Sequence, residues 1–148
     1  MNSRFKYIES EDELQSLHSK TLGISGGGLT GFRDLHSLLC AIEFIQDDTL
    51  YPEFVDKLTH LVFIANKSHC FIDGNKRMSI VLGARFLLDN GYLNSVTRFI
   101  YKMEVLSYHL AAGRITKELL RKLLLSIITE EDYPEDLKIE LLNVIDVE

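Results

Sequence analysis

His69-Cys70-Phe71-Ile72-Asp73-Gly74-Asn75-Lys76-Arg77, with the apolar run that follows it to Leu88, decides the reading of this chain. The nine residues hold an imidazole, a carboxylate, a Gly-Asn bend and two cations. The next segment, expected as a helix over 76–90 and stopped at Gly91, carries Met78, Ile80, Val81, Leu82, Ala84, Phe86, Leu87 and Leu88. Those residues cover nearly the whole circumference of a helix, so it is read as central rather than half-exposed.

Outward from that helix the pattern stays helical. Ser10 and Glu13 have capping-box spacing ahead of Leu14 and Leu17, a short helix expected to end before Gly23. Residues 23–31 are too glycine-rich for regular structure. Asp34 is expected to cap a helix carrying Leu35, Leu38, Leu39, Ala41, Ile42 and Ile45. Pro52 suits the first turn of a third helix, which buries Phe54, Val55, Leu58, Leu61, Val62, Ile64 and Ala65. Residues 95–112, 116–129 and 134–147 read as three more helices, broken at Gly113 and Pro134. No strand pattern, repeat or long linker interrupts the series. The expectation is an all-α, compact helical bundle, with residues 1–148 forming a single domain.

The 148-residue length suits one domain that buries roughly 68–70% of its unfolded surface. Net charge is −6. Residues 130–148 hold eight acidic side chains against Lys138 alone, a local −7, which leaves +1 for the rest. A near-neutral body with an acidic end lacks the basic face that general nucleic-acid binding requires. The N-terminus has no apolar signal core, and no apolar stretch approaches the roughly 18 residues of a membrane span. Two cysteines make neither a disulfide framework nor a zinc site. Cys40 is read as a small core residue, and the expected compartment is the cytoplasm.

The chemistry lies in the nine residues. A helix N-terminus presents unpaired N–H groups and about half a positive charge, which favours phosphate. Gly74 allows the bend. Lys76 adds a point charge, and Arg77 a bidentate fork. Asp73 supplies the one carboxylate that phosphate-bound magnesium needs from protein; capping the helix is its alternative role. His69 is the residue type suited to taking a proton from a hydroxyl. Phe71 and Ile72 are expected to plug inward. Cys–His nucleophilic catalysis is set aside, because adjacent side chains rarely face each other. Gly26 to Gly31 matches a dinucleotide fingerprint, but without the flanking strands it is read as a loop.

His-x-Phe-x-Asp-Gly-Asn-Lys-Arg resembles the signature of the Fic/Doc superfamily, and Lys76 makes it similar to the Doc (death-on-curing) branch. Residues 27–34, 86–91 and 111–115 resemble further Doc segments, so the likeness covers about residues 5–128. The resemblance implies a helical Fic/Doc-like bundle built around the motif helix. It implies His69 as general base, Asp73 as the magnesium-binding acid, and Gly74, Asn75, Lys76 and Arg77 as the phosphate-binding turn, with ATP and Mg2+ as cofactors. The family's target-aligning flap maps by position to about residues 45–51.

AMP-transferring members usually have Gly in place of Lys76 and a second Arg where this chain has Ile80. Doc-type proteins share both differences and pass the terminal phosphate of ATP to a threonine of elongation factor Tu. The resemblance therefore implies a toxin that phosphorylates a target protein, held silent by an antitoxin. The alternatives are an adenylyltransferase and a non-catalytic binding module of the same fold. Ser126 to Glu130 begins a self-inhibitory motif, which Glu131 breaks. The acidic segment 130–148 is read as an extension that packs on the bundle; covering the cationic site or pairing with a second subunit are the alternatives.

Overall fold

The computed structural model describes residues 4–129 and 131–145. It is 67% helical. Seven helices follow in order among the described residues: α1 (Glu11–Ile24), α2 (Leu35–Phe44), α3 (Phe54–Lys67), α4 (Asn75–Asp89), α5 (Leu93–Ala111), α6 (Lys117–Ile128) and α7 (Glu135–Ile145). Among the described residues there is no strand, only an isolated antiparallel bridge between Phe32 and Phe71. None of the helices among the described residues is long and apolar enough to cross a membrane. The acidic Glu130, Asp146 and Glu148, and the expected end of the last helix at Val147, lie outside the described residues.

The centre of the bundle is the pair α3 and α4. From α3, Leu58, Val62 and Ala65 are wholly buried; from α4, Met78, Leu82 and Leu87 meet them. α5 closes the other side through Phe99, Met103 and Leu110, and α6 adds Leu120, Leu123, Leu124 and Ile127. Each fully buried side chain of this kind contributes about 1.5–3 kcal/mol. Gly83 lets the helices approach closely. A Cβ there would lie 2.4 Å from Phe99 Cζ and 3.0 Å from Val62 Cγ2. The expectation of a core-facing circumference holds for most of α4, but Leu88 faces solvent.

Caps explain most boundaries. Ser10 accepts the Glu13 N–H, Asp34 the Ser37 N–H, and Thr116 the Leu119 N–H. Several expectations need correction. α3 starts at Phe54 because Glu53 and Asp56 close a reciprocal capping box; Pro52 stands outside it. The Glu13 carboxylate does not return to Ser10. It pairs with Arg85 at 2.6 Å and ties α1 to α4. α1 also runs through Gly23 to Ile24, and the chain then turns at Gly26 and Gly27 with positive φ.

α5 begins at Leu93, ahead of Ser95, whose hydroxyl donates to the Ile128 carbonyl on α6. Cys40 is half-buried on α2, with its Sγ 3.4 Å from His36 Nε2, so it is not a core residue. Residues 45–51 are fastened from below by Lys57. That side chain is fully buried and donates to the Ile45 carbonyl at 2.5 Å and to Asp48 at 2.7 Å. α7 seats Leu137 in the core and joins α6 through Lys122 and Glu140.

Candidate active site

A cavity of about 460 Å³ opens where α3 ends and α4 begins. Its wall contains His69, Asp73, Gly74, Asn75, Lys76 and Arg77, together with Asn66, Ile72 and Ala111. All the residues singled out from the sequence thus border one space. Its volume falls within the range that small-molecule sites occupy.

The loop that carries them has a defined construction. Cys70 and Phe71 are wholly buried and anchor it, while Ile72 is only partly covered. The Asn75 side chain faces back into the loop: its Oδ1 accepts the Phe71 N–H and its Nδ2 donates to the Phe71 carbonyl, both at 3.0 Å. Asn75 therefore brings only its backbone N–H to the helix start, and its carboxamide holds the bend. Gly74 is the N-cap residue, left-handed at φ 81°, and it makes no side-chain cap bond. Met78 donates to the Gly74 carbonyl, whereas the N–H groups of Asn75, Lys76 and Arg77 have no acceptor among the described residues. Three donors and the positive end of the α4 dipole thus remain directed out of the helix.

Asp73 does not cap α4. Its Oδ2 accepts the Leu29 N–H at 2.8 Å, and its other carboxylate oxygen has no partner among the described residues. Arg77 folds back, with its Nη1 3.5 Å from the Ser25 carbonyl. Lys76 is exposed. His69 is exposed and occupies the left-handed region at φ 49°, which points the chain outward just before Cys70 turns in. The Cys70 thiol is pushed up to about 11, first by burial and then by the Asp34 carboxylate. It is therefore a buried anchor of the loop, held as the protonated thiol rather than the reactive thiolate.

The glycine loop belongs to this site. Besides Leu29 and Ser25, Gly31 accepts the Ile72 N–H at 3.1 Å. Arg33 and Asp34 both donate to the Cys70 carbonyl, at 2.8 and 3.0 Å. Residues 25–34 are laced along 70–73, and a Cβ at Gly28 would lie 3.5 Å from that of Asp73.

Two contributors, His18 and Asn66, escaped the sequence reading. His18, fully buried on α1, places Nε2 2.7 Å from the Asp73 carbonyl. Asn66 donates to the Ser107 carbonyl at 3.1 Å and reaches Ser79 Oγ at 3.4 Å, joining α3, α4 and α5 behind the cavity. Lys67 donates to the Leu110 carbonyl at 3.1 Å, at the end of α5. His18 and Asn66 did leave a signal: each is a polar residue in an apolar helical stripe, Leu14-His18-Leu22 and Val62-Ala65-Asn66.

No three His, Cys, Asp or Glu side chains gather closely enough to cage a metal ion among the described residues. The arrangement fits magnesium in a different way. One carboxylate oxygen is left over beside a cavity bordered by cations and open N–H groups. Magnesium that arrives on a polyphosphate needs only one or two carboxylates from protein.

A protein-family model described as the Fic/DOC family matches residues 7–87, more than half of the chain. No curated protein and no solved structure matches.

Proposed function

The chain belongs to the Fic/DOC family, a family of protein-modifying transferases, and on that premise we propose that it passes the γ-phosphate of ATP to a hydroxyl of a target protein. The observation that carries this reading is the single cationic station at the start of α4. Lys76, Arg77 and three open N–H groups cluster there, and one helical turn further on stands Ile80, partly buried in the bundle. Charge stabilisation is thus concentrated at one phosphate position. That arrangement suits transfer of a terminal phosphoryl group, whose reaction depends on positioning and electrostatics.

The steps follow from the residues. The open N–H groups, Lys76 and Arg77 hold the phosphate oxygens. The exposed His69 imidazole takes the proton of the incoming hydroxyl as its oxygen bonds to the γ-phosphorus. The bond from that phosphorus to the β,γ-bridging oxygen breaks, and ADP leaves. Magnesium, when bound with ATP at Asp73, would neutralise phosphate charge and polarise the reacting group. Cys70 takes no part.

The same reading brings a threonine or serine of elongation factor Tu as acceptor, a cytoplasmic setting, and an antitoxin protein that silences the enzyme. The test is incubation of the protein with elongation factor Tu and ATP labelled at the α- or the γ-phosphate. Label from the γ position on the acceptor is expected. Label from the α position would assign adenylyl transfer instead. No label, with ATP still bound, would leave a binding module. His69→Ala should lower transfer by about 10²–10⁴-fold with ATP binding retained.

A further inference from the structure

We infer that His18 is a positioning residue that fixes Asp73 for its magnesium-facing role; this rests on the ATP–magnesium reading above. A carbonyl oxygen only accepts, so the Nε2 that faces Asp73 at 2.7 Å carries the proton. In the neutral ring Nδ1 is then a bare acceptor. It is enclosed and has no hydrogen-bond partner among the described residues. A buried unsatisfied acceptor is destabilising, and a ring without it would fill the same space at less cost. Core packing therefore does not account for a histidine here, whereas the bond to Asp73 does.

The surroundings support the same role. The His18 ring lies 4.4 Å from that of Phe71, the residue bracketed by Asn75. One turn along α1, Leu22 presses on both glycines of the site. Its Cδ2 lies 3.1 Å from where a Gly74 Cβ would stand, and 3.2 Å from where one at Gly28 would. The buried face of α1 thus holds the main chain of Asp73 through His18. It also wedges the two flanking loops through Leu22. The carboxylate is held from another side by the Leu29 N–H. With main chain and carboxylate both tied, the free oxygen of Asp73 has a fixed location. Groups that orient a metal-binding side chain in this way govern metal affinity without touching the metal.

The test compares His18→Gln, His18→Asn and His18→Phe. The Gln amide nitrogen reaches the place of Nε2; that of Asn falls short by one methylene. ATP binding is followed by calorimetry across a magnesium series, and thermal unfolding is recorded without nucleotide. Expected is a half-saturating magnesium concentration raised about 10- to 100-fold in His18→Asn and His18→Phe. His18→Gln should stay near wild type. The nucleotide-free melting curves show that each variant is folded at the temperature of the binding measurement. If Asn and Gln variants, both folded, need the same magnesium as wild type, or if Gln is as impaired as Asn, the inference fails alone. If the wild-type chain binds no ATP at any magnesium concentration, the ATP reading fails and takes this inference with it.

Discussion

Asn75 and Phe71 are joined by two hydrogen bonds that run in opposite directions, each 3.0 Å long. Only a carboxamide can donate and accept in this way across four residues; a carboxylate can do half of it. Asn75→Asp should therefore lose the bond to the Phe71 carbonyl and set like partial charges against each other. The expected cost is about 1–3 kcal/mol of stability, with ATP binding weakened in parallel. Urea unfolding and nucleotide calorimetry read the two effects. An Asp variant as stable as wild type would show that the bracket does not matter.

Gly83 tests the packing of the central helices. Alanine is the better helix former by about 1 kcal/mol, so propensity alone forecasts a gain. The Phe99 ring, 2.4 Å from the would-be methyl, forecasts overpacking that costs about 1–3 kcal/mol. Phe99 is wholly buried, so its ring cannot swing out into solvent and the steric cost should win. Gly83→Ala is expected to lower the melting temperature, and adding Phe99→Leu to that variant should recover part of the loss.

The two thiols should behave as opposites. Cys70 is enclosed and its thiol is pushed up to about 11, while Cys40 is half-exposed on α2. A colorimetric disulfide reagent should titrate one thiol quickly in the native protein and the second only after denaturation. Cys70→Ala should leave phosphoryl transfer within a fewfold of wild type. Loss of transfer in a folded Cys70→Ala protein would reinstate the thiol as a participant.

His60 gives a dependence on pH. Burial, and then the Lys117 ammonium that donates to its Nδ1 at 2.7 Å, hold the folded imidazole at about 4 against an ordinary 6.5. Between those values the unfolded chain binds the extra proton, so unfolding gains as acid is added. This contribution to stability is complete above pH 6.5, falls as the pH drops from 6.5 to 4, and then levels off. Denaturant midpoints at pH 7 and pH 4.5 should differ less in His60→Gln than in wild type. Parallel slopes would assign the acid sensitivity to other groups.

What the sequence disclosed was local. Ser10, Asp34 and Thr116 announce helix starts because a cap acts within three residues. The buried stripes of α3 and α4 appear as periodicity because a helix repeats its face every turn. The composition of the motif loop named the residues that border the cavity. What stayed hidden was non-local. Glu13 has the spacing of a capping box, yet an arginine 72 residues away claims it. His18 meets Asp73 across 55 positions. Glycines 26–31 read as a free loop because nothing nearby in the chain shows that Leu29 will bond to Asp73, 44 residues later. Only packing α1 on α4 creates these pairings.

The lacing of 25–34 along 70–73 has a bearing on protein engineering. The nine-residue motif is not portable. Transplanted onto the start of an unrelated helix, it would bring its imidazole, cations and open N–H groups, but an acid with no second loop to grip it. A graft meant to keep the geometry must carry the whole stretch from α1 to α4, because α1 and residues 25–34 are the jig in which the motif loop is held.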